Sequence, residues 1–420
     1  MRQLYTLLWC LALPLVLARL WWRGRKEPGY RLHWPERLGF YGARGAGGHT
    51  LWVHAVSVGE TRAAEPLIDA LLLAYPDSRI VLTHMTPTGR ATGRALFAKH
   101  GERLVQAYLP YDIPFMIRRF IGHFAPRICI LMETEVWPNL IAVCGDRVPV
   151  ALVNARLSAR SLRRGRRFGS LMTDAAKALA LVAAQTEQDA ARVRELGAPR
   201  VEVTGSIKFD VVVPQAALTM GAWLRGRIGQ RAVLLCASTR DGEEALILDA
   251  CATLLALPGH PLLLLVPRHP QRFDEVAALV ALRGLSLQRR SALVERPVTA
   301  QVLLGDSMGE MFGYYAACDI AFIGGSLLPL GGQNLIEACA LGKPVLTGPH
   351  TFNFELVTQQ AIAAGGAVCV ADATELVTKT RQLLVDDAAR KGMGEHAAAF
   401  AERHRGATAR TVGLLRHMIF

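Results

Sequence analysis

Short, almost wholly apolar runs alternate with longer amphipathic stretches along most of this 420-residue chain. Each apolar run has the length of a buried strand, and the stretch between two runs is long enough for a helix. Strands that are apolar on both faces belong in parallel sheets, because only a sheet covered by helices on both sides buries them completely. The pattern therefore predicts an α/β chain built from doubly wound parallel sheets.

The alternation occurs in two blocks, and 420 residues are more than one compact domain usually holds. The predicted strands are residues 50–58, 80–83, 128–132, 148–153, 179–184 and 201–204 in the first block, and 232–237, 262–266, 302–304, 320–323 and 345–346 in the second. We predict an anchor at residues 1–26, a Rossmann-like domain at 27–212 that begins with a connector at 27–48, and a second Rossmann-like domain at 213–420. The two domains are expected to face a central cleft at the carboxyl ends of both sheets.

The segment Leu4–Leu20 is almost wholly apolar, and its length is at the short end of the range for a bilayer span. Trp21 and Trp22 follow it, as in an interfacial belt, and the cations that crowd this end are Arg19, Arg23, Arg25 and Lys26. Because such flanks stay on the cytoplasmic side, the rest of the chain is predicted to be cytoplasmic. A cleaved signal peptide, with charges on the wrong side, and an amphipathic helix docked on the protein are the alternatives.

The net charge of +13 is compatible with nucleic acid, an anionic membrane or an acidic small molecule as a partner. No nucleic acid is expected, because the sequence has no helix-turn-helix signature, zinc-finger spacing or aromatic-rich basic stripe. The eight cysteines include no C-x-x-C pair, which is typical of free thiols in a reducing compartment. A basic cluster favours either a solvated helix face or a contact with lipid phosphate; its members are Arg156, Arg160, Arg163, Arg164, Arg166 and Arg167.

Three motifs in the first block place charged side chains after predicted strands. Glu60 ends HAVSVGE (54–60), where a carboxylate could take a proton from an attacking hydroxyl or could simply complement a helix dipole. Glu133 lies in METE (132–135), directly after an apolar run. Lys208 lies in GSIKFD (205–210), where it could meet the charge on a leaving phosphate or be an ordinary surface lysine.

The second block has loops of the kind that bind nucleotides. The loops are VPRHP (266–270), GDSMGEM (305–311) and GGQNLIE (331–337), each following a predicted strand. Arginine suits bidentate contact with phosphate, and glycine lets a ligand approach the backbone. The P-loop and dinucleotide signatures are missing, as is the Asp-x-Asp pair that often holds a metal in glycosyltransferases, so neither a metal nor a cofactor is expected.

Together these motifs resemble the 3-deoxy-D-manno-oct-2-ulosonic acid (Kdo) transferases over essentially the whole chain. Further motifs that carry the resemblance are RLWWRGRKEPGYR (19–31), THMTPTG (83–89), NARLSARS (154–161) and GPHTFNFE (348–355). The resemblance implies a GT-B glycosyltransferase fold and inverting, metal-independent transfer of Kdo. It implies CMP-Kdo as the donor, a phosphorylated lipid A precursor (lipid IVA) as the acceptor, and a place at the cytoplasmic face of the anionic inner membrane in lipopolysaccharide core biosynthesis.

The resemblance also implies roles for single residues. Glu60 would be the general base, and Glu133 and Lys208 would assist the transition state. The residues implied to line the CMP pocket are Pro267, Arg268, Met308, Gly309, Glu310, Asn334, Leu335, Ile336 and Glu337. One position departs from the family, which often has Gly-Gly-His-Asn-Pro where this chain has Gln333, a residue that cannot be cationic.

Two other functions fit parts of the same pattern. A UDP-sugar epimerase would share the twin-domain architecture, but it would need no membrane anchor. A membrane scaffold that only binds anionic lipid would give Glu60 no role beyond stability.

Overall fold

The computed structural model describes residues 1–42, 48–145, 147–167, 169–294 and 296–419, so residues 43–47 of the predicted connector lie outside it. Within the described residues the chain forms two compact units: unit 1 is Met1–Asp210 with Arg405–Phe420, and unit 2 is Val211–His404. Each unit contains a seven-stranded sheet in which the described strands pair in parallel. The predicted α/β fold with two doubly wound sheets is confirmed.

The strands of unit 1 have the order β3-β2-β1-β4-β5-β6-β7, which reverses between β1 and β4. They are β1 (His49–His54), β2 (Ser78–His84), β3 (Leu104–Tyr108), β4 (Pro126–Met132), β5 (Val150–Ala155), β6 (Leu181–Ala184) and β7 (Val201–Val203). The helices are α1 (Arg2–Arg23), α2 (Trp34–Arg37), α3 (Val58–Ala63), α4 (Glu65–Ala74), α5 (Pro87–Leu96), α6 (Pro114–Phe124), α7 (Pro138–Cys144), α8 (Ala159–Arg167), α9 (Ser170–Lys177), α10 (Glu187–Glu195) and, at the end of the chain, α19 (Ala407–Ile419).

The strands of unit 2 have the order β10-β11-β9-β8-β12-β13-β14, which reverses between β8 and β12. They are β8 (Val233–Thr239), β9 (Leu262–Pro267), β10 (Leu287–Arg289), β11 (Val302–Leu304), β12 (Ile320–Ile323), β13 (Val345–Thr347) and β14 (Ala367–Cys369). The helices are α11 (Gln215–Ile228), α12 (Glu243–Leu255), α13 (Phe273–Leu282), α14 (Met311–Ala317), α15 (Ile336–Ala340), α16 (Glu355–Ala363), α17 (Ala373–Val385) and α18 (Asp387–Arg403).

Both faces of the sheets are buried, which explains why the strands are apolar throughout. In β1, Trp52 packs with Phe120 in one hydrophobic cluster, whereas Leu51 and Val53 pack with Leu67 in another on the opposite face. Successive side chains of a strand point to opposite faces, so helices on both sides are needed to cover them. Two helices follow β1, with a break at Ala64 between α3 and α4, because Pro66 is accepted only in the first turn of α4.

The C-terminal residues differ from the sequence-based division, which placed all of 213–420 in the second domain. Instead, Arg405–Phe420 belongs to unit 1, where α19 buries Ala407, Leu415 and Ile419 in the cluster that also contains Leu67. The Asp210 carboxylate accepts hydrogen bonds from the backbone N–H groups at the start of this segment. The physical reason is that the apolar stripe of α19 completes the core of unit 1.

Candidate active-site residues

In each unit the candidate residues follow strands beside the point where the strand order reverses. In unit 1, Glu60 lies beyond the carboxyl end of β1, and Glu133 directly follows the neighbouring β4. In unit 2 the equivalent neighbours are β8 and β12. Ligands of open α/β sheets bind outside the carboxyl ends of the strands at such points.

Glu60 is held in the first turn of α3 by a reciprocal cap. The Ser57 hydroxyl oxygen accepts a hydrogen bond from the Glu60 backbone N–H (3.4 Å). In return, the Glu60 carboxylate accepts hydrogen bonds from the Val56 backbone N–H (2.8 Å) and the Ser57 hydroxyl (3.3 Å). These contacts resemble a capping box and fix the carboxylate in one place.

Burial raises the pKa of Glu60 to about 7. The hydrogen bond from the Val56 N–H opposes this rise, and the nearby carboxylates of Glu135 and Glu133 add to it. A carboxylate that titrates near neutral pH can accept a proton from a substrate at working pH. The helix cap and the catalytic interpretation of Glu60 are therefore compatible.

Glu133 and Lys208 form a partly buried ion pair. The Lys208 Nζ lies 2.7 Å from the Glu133 Oε1, with the two side chains 26% and 16% exposed. Glu133 has a left-handed backbone with φ of 56°, a conformation that costs a residue with a side chain roughly 1–3 kcal/mol. Such strain persists only where neighbouring contacts enforce it, and it is frequent at functional sites.

Asn154 supplies one of those contacts, although it was not singled out as a site residue from the sequence. It is fully buried at the end of β5 and also has a positive φ, of 52°. Its Nδ2 donates to the Glu133 Oε1 (3.4 Å), and its Oδ1 accepts from the backbone N–H of Ile207 (3.1 Å), which precedes Lys208. Asn154 thus fixes both members of the ion pair.

Glu135 adds a third carboxylate to this region. The indole N–H of Trp137 donates to it (2.8 Å). Burial raises the pKa of Glu135, the Trp137 hydrogen bond opposes this, and the Glu133 carboxylate raises it further. The structure therefore brings Glu60, Glu133 and Lys208 into one neighbourhood of unit 1, as the sequence motifs suggested.

The arginine cluster at residues 156–167 is exposed throughout and lies on and before α8. Arg166 pairs with Glu195 on the neighbouring α10. The structure shows a solvated helix face, which is also accessible to anionic partners.

In unit 2, Pro267 ends β9 and Arg268 begins the loop that follows. The backbone N–H of Arg268 donates to the carbonyl of Thr239 (2.9 Å), which ties this loop to the end of β8. Both residues lie at the carboxyl edge of the sheet, as predicted.

The loop of residues 305–311 positions Glu310 through its own neighbours. The Glu310 carboxylate accepts from the Ser307 hydroxyl (2.5 Å) and from the Arg290 guanidinium (2.9 Å). Met308 is 55% exposed, and Gly309 has a φ of 83° that glycine accepts without strain. The solvent-exposed part of this loop is therefore Met308 and the adjacent backbone, whereas Glu310 stabilises the loop through its hydrogen bonds.

Asn334 lies just before α15, and Glu337 lies in its first turn. The Asn334 Oδ1 accepts from the Ile336 N–H (3.1 Å), and its Nδ2 donates to the Glu337 Oε1 (3.2 Å). Leu335 and Ile336 are 2% and 1% exposed, so their side chains belong to the core of unit 2.

Glu243 organises the loop after β12 from inside the protein. Its buried carboxylate accepts hydrogen bonds from the backbone N–H groups of Gly325, Ser326 and Leu327, and from that of Arg240. These amides are therefore satisfied by a carboxylate of the chain itself and are not directed at a bound phosphate.

Arg240 is a second cation at this edge that was not identified from the sequence. A Cβ atom on Gly325 would lie 3.4 Å from the Arg240 Cγ and 3.2 Å from the Gln333 Nε2, so these two side chains flank that glycine. Burial lowers the pKa of His269, and the charges of Arg240 and Arg268 lower it further. Among the described residues the Arg240 guanidinium has no ion-pair partner within 4.0 Å, and the residue is half-buried.

The sequence of this chain is similar to that of known proteins from one family. Residues 32–211 match the model of the family described as 3-deoxy-D-manno-octulosonic-acid transferase (kdotransferase). The chain is 48% identical to a 3-deoxy-D-manno-octulosonic acid transferase of Bordetella pertussis, over 99% of this chain and 98% of that protein. It is 39% identical to a transferase of the same name from Haemophilus influenzae, again over 99% and 98% of the two chains.

Solved structures share the fold. A glycosyltransferase from Rickettsia africae has a TM-score of 0.59 at 13% identity and covers 89% of this chain and 99% of its own. A UDP-GlcNAc 2-epimerase from Neisseria meningitidis has a TM-score of 0.58 at 17% identity and covers 87% and 99%. At these identities the likeness establishes the architecture alone.

Proposed function

This chain belongs to the 3-deoxy-D-manno-octulosonic acid (Kdo) transferase family, and from this premise we propose that it is an inverting glycosyltransferase. It transfers Kdo from CMP-Kdo to a phosphorylated lipid A precursor, lipid IVA, in lipopolysaccharide core biosynthesis. The observation that carries the proposal is the position of Glu60. A carboxylate with a pKa of about 7 lies at the switch point of unit 1, in the neighbourhood of the Glu133–Lys208 ion pair.

The reaction is a single displacement at the anomeric carbon of Kdo. Glu60 accepts the proton of the acceptor hydroxyl, and the oxygen forms the new glycosidic bond. The bond from the anomeric carbon to the phosphate oxygen breaks, and CMP leaves with its electron pair. One displacement on the face opposite the leaving group inverts the anomeric centre.

Lys208 and Glu133 support this step as a unit. A cation is favourable where negative charge develops during departure of CMP. The ion pair with Glu133 and the Asn154 hydrogen bonds keep the lysine in one orientation, so little reorganisation is needed during the reaction.

Unit 2 binds the donor nucleotide. Arg268, with Pro267 before it, offsets the phosphate charge, while Met308 and Gly309 contact the nucleotide, and Leu335 and Ile336 pack beneath the pocket. Glu337, which is hydrogen-bonded to Asn334, accepts hydrogen bonds from the ribose hydroxyls. Glu310 acts through its hydrogen bonds within the loop.

The enzyme works at the cytoplasmic face of the inner membrane, to which α1 attaches it. Among the described residues α1 is the one helix long and apolar enough to cross a membrane, with a mean hydropathy of 1.7. Exposed arginines on and before α8 suit a phosphorylated acceptor presented in an anionic leaflet.

The test is CMP release by the purified protein in detergent with CMP-Kdo, a tetraacylated lipid A precursor and EDTA. Wild type is expected to release CMP only when the acceptor is present. Glu60→Gln is expected to lose roughly 10²–10⁴-fold in rate, the usual contribution of a general base. Glu65→Gln, in the first turn of the next helix, is the matched control and should keep the wild-type rate.

Each failure has a separate meaning. No release by the wild-type protein would show that the donor is wrong. Wild-type release that survives Glu60→Gln would show that the base is wrong, and loss of release in EDTA would show that a metal takes part. Thermal unfolding of both variants at the wild-type temperature excludes misfolding as the cause of a lost rate.

A further inference from the structure

Helix α1 lies lengthwise against unit 1 rather than standing away from it. In its first turns, the Thr6 hydroxyl donates to the Asn139 Oδ1 (3.1 Å), and the Trp9 ring stacks on that of Tyr111 at 5.7 Å. The residues of α1 that pack into the hydrophobic cluster of Tyr30, Tyr111, Ile113 and Met116 are Trp9, Leu13, Val16, Leu17 and Leu20. Contacts therefore extend from the first turn to the last.

The opposite side of α1 carries an apolar stripe without protein cover. This outer stripe consists of Leu4, Leu8, Leu11, Leu15 and Trp22, which are exposed by 54%, 56%, 66%, 74% and 64%. Their spacing of three, four or seven residues places them on one face of a helix. Water-exposed leucines in such a row are typical of a surface that contacts another apolar phase.

A transmembrane orientation is incompatible with these contacts. A 22-residue helix is roughly 33 Å long, enough to cross a hydrocarbon core of about 30 Å. Crossing would place the two ends of α1 at opposite surfaces of the bilayer, with Thr6 in the leaflet far from Arg23. However, Thr6 is bonded to Asn139, whose side-chain amide and backbone N–H donate to the buried Asp112 within unit 1 (2.7 and 3.1 Å). A crossing helix would have to break from unit 1 or draw this polar network into the hydrocarbon.

Cations lie near both ends of α1. Near the N-terminal end, Arg2, Arg118 and Arg147 line a cavity of about 710 Å³ at α1, α6 and α7. The exposed cations near the other end are Arg19, Arg23, Arg25 and Lys26. An apolar stripe with positive charge at both ends matches an anionic bilayer surface that runs parallel to the helix axis.

We propose that α1 does not cross the membrane but lies along it, docked on unit 1, with the outer stripe in the acyl layer of one anionic leaflet. The N-terminus then stays on the same side of the membrane as unit 1. The cations at both ends lie at the level of the phosphate headgroups. This proposal concerns membrane topology and holds whether or not Glu60 is the catalytic base.

Cysteine labelling of the N-terminus tests the topology in the full-length protein. Among the described residues the exposed cysteines are Cys10 and Cys369, so both are first replaced by serine. Gln3→Cys and, as a control at the other end of the helix, Glu27→Cys are then treated with a membrane-impermeant maleimide. We expect both to react in inverted vesicles and neither to react in intact spheroplasts. Reaction of Gln3→Cys in spheroplasts would overturn the proposal.

A cross-link between α1 and α7 tests the docked arrangement directly. It also distinguishes the two topologies if Gln3→Cys does not react because the protein or lipid shields it from the maleimide. Oxidation of Thr6→Cys/Asn139→Cys in native membranes is expected to give an intramolecular disulfide in protein that still sediments with the membrane. Absence of the cross-link in membranes, with its formation in detergent, would mean that the helix leaves unit 1 to insert.

Vesicle flotation tests what covers the outer stripe. Leu11→Glu/Leu15→Glu is expected to reduce binding to phosphatidylglycerol vesicles by more than tenfold without changing the unfolding temperature. Leu73→Glu, at a leucine 83% exposed on α4, is the matched control and should bind as wild type does. Undiminished flotation of the double variant would exclude lipid as the occupant of the stripe.

Discussion

At the scale of single residues, neighbouring carboxylates in unit 1 have different environments and hence different chemistry. Glu133 has its charge compensated by Lys208 at 2.7 Å. Glu60 is partly buried beside other acids, and both effects raise its pKa to about 7, so it stays protonated to a higher pH than an exposed glutamate does. A carboxylate that titrates near neutrality is the candidate for proton transfer, which favours Glu60.

The first prediction is a pH dependence of activity that belongs to Glu60. Because the base must be deprotonated and its pKa is raised to about 7, kcat/KM should rise with pH through that value and level off above it. In Glu60→Gln, this rise of kcat/KM with pH should disappear, together with most of the rate. A wild-type profile that is flat from about pH 5.5 to 8.5 would contradict this assignment.

The same shift predicts how stability depends on pH. Folding raises the pKa of Glu60 from 4.5 to about 7, so the folded state binds this proton more tightly than the unfolded state does. The contribution of Glu60 to the free energy of unfolding is therefore complete below about pH 4.5 and is lost as pH rises through about 7. Urea unfolding of wild type and Glu60→Gln across this range should show the loss only in wild type. Parallel pH curves for the two proteins would argue against the shift.

A third prediction concerns Asn154 as a positioning residue. Removing its side chain leaves the Ile207 N–H without its hydrogen bond and makes Lys208 more mobile. The value of kcat should therefore fall about tenfold or more, while KM stays within about twofold. Asn154→Gly keeps the left-handed backbone without strain, whereas Asn154→Ala adds strain of roughly 1 kcal/mol. Both variants should lose rate, but Asn154→Ala should be the less stable in urea unfolding. A wild-type kcat in Asn154→Gly would show that Asn154 supports the fold but does not position Lys208 for catalysis.

A fourth prediction concerns Arg240. A cation without an ion-pair partner in the described chain, beside Gln333 at the switch point of unit 2, should bind an anionic group of the donor. Arg240→Ala should weaken CMP-Kdo binding by roughly 10–100-fold, the range for a hydrogen bond to a charged group. Arg381→Ala removes an equally positive, exposed side chain on α17 and serves as the control. If CMP affinity stays unchanged while CMP-Kdo affinity falls, Arg240 contacts the sugar acid; equal affinities of variant and wild type for both would exclude it from the site.

At the scale of secondary-structure elements, the sequence predicts the central strands and the edge strand β7, but not the other three edge strands. The strand expected at residues 320–323 is β12 to the residue, because it is apolar on both faces. In contrast, β3, β10 and β14 were not predicted. Their sequences, LVQAY, LQR and AVC, are short or interrupted by polar residues, because strands at the sheet edge are covered less completely.

The candidate site follows the same logic. Glu60, Glu133 and Lys208 lie in local motifs and are visible in the sequence. Asn154 and Glu243 act through partners 53 and 82 residues away, at Ile207 and Gly325, and no local pattern reports such contacts. The sequence therefore predicts which side chains carry charge at the strand ends, whereas the residues that hold them in place require the fold.

A fifth prediction tests one such element, the loop after β12. Glu243→Ala would leave buried backbone N–H groups without partners, and each such group costs about 1–3 kcal/mol. We expect Glu243→Ala to destabilise the protein by about 3 kcal/mol or more and to increase hydrogen exchange at residues 324–327. Glu275→Ala, at a surface glutamate 56% exposed, should change stability by less than about 1 kcal/mol. Unchanged exchange in the loop would show that other contacts hold it.

At the scale of the whole molecule, both ends of the chain belong to unit 1, and unit 2 is inserted between them. The last helix, α19, buries Leu415 and Ile419 in the same cluster as Leu67 and Ile128. The Asp210 carboxylate caps the start of this segment where the chain first leaves unit 1. Stability of unit 1 must therefore depend on residues that follow unit 2 in the sequence.

Two leucines that are adjacent on α19 allow this dependence to be measured. Leu415 is fully buried and Leu414 is half-buried, so Leu415→Ala should cost about 2–5 kcal/mol by leaving a cavity, and Leu414→Ala clearly less. The loss should appear as faster hydrogen exchange in β1 and β4 while β8 and β12 keep their protection, because the cavity lies in the core of unit 1 alone. Equal loss of protection in the strands of both units would mean that they unfold as one cooperative body, and no change in β1 and β4 would mean that α19 does not support unit 1.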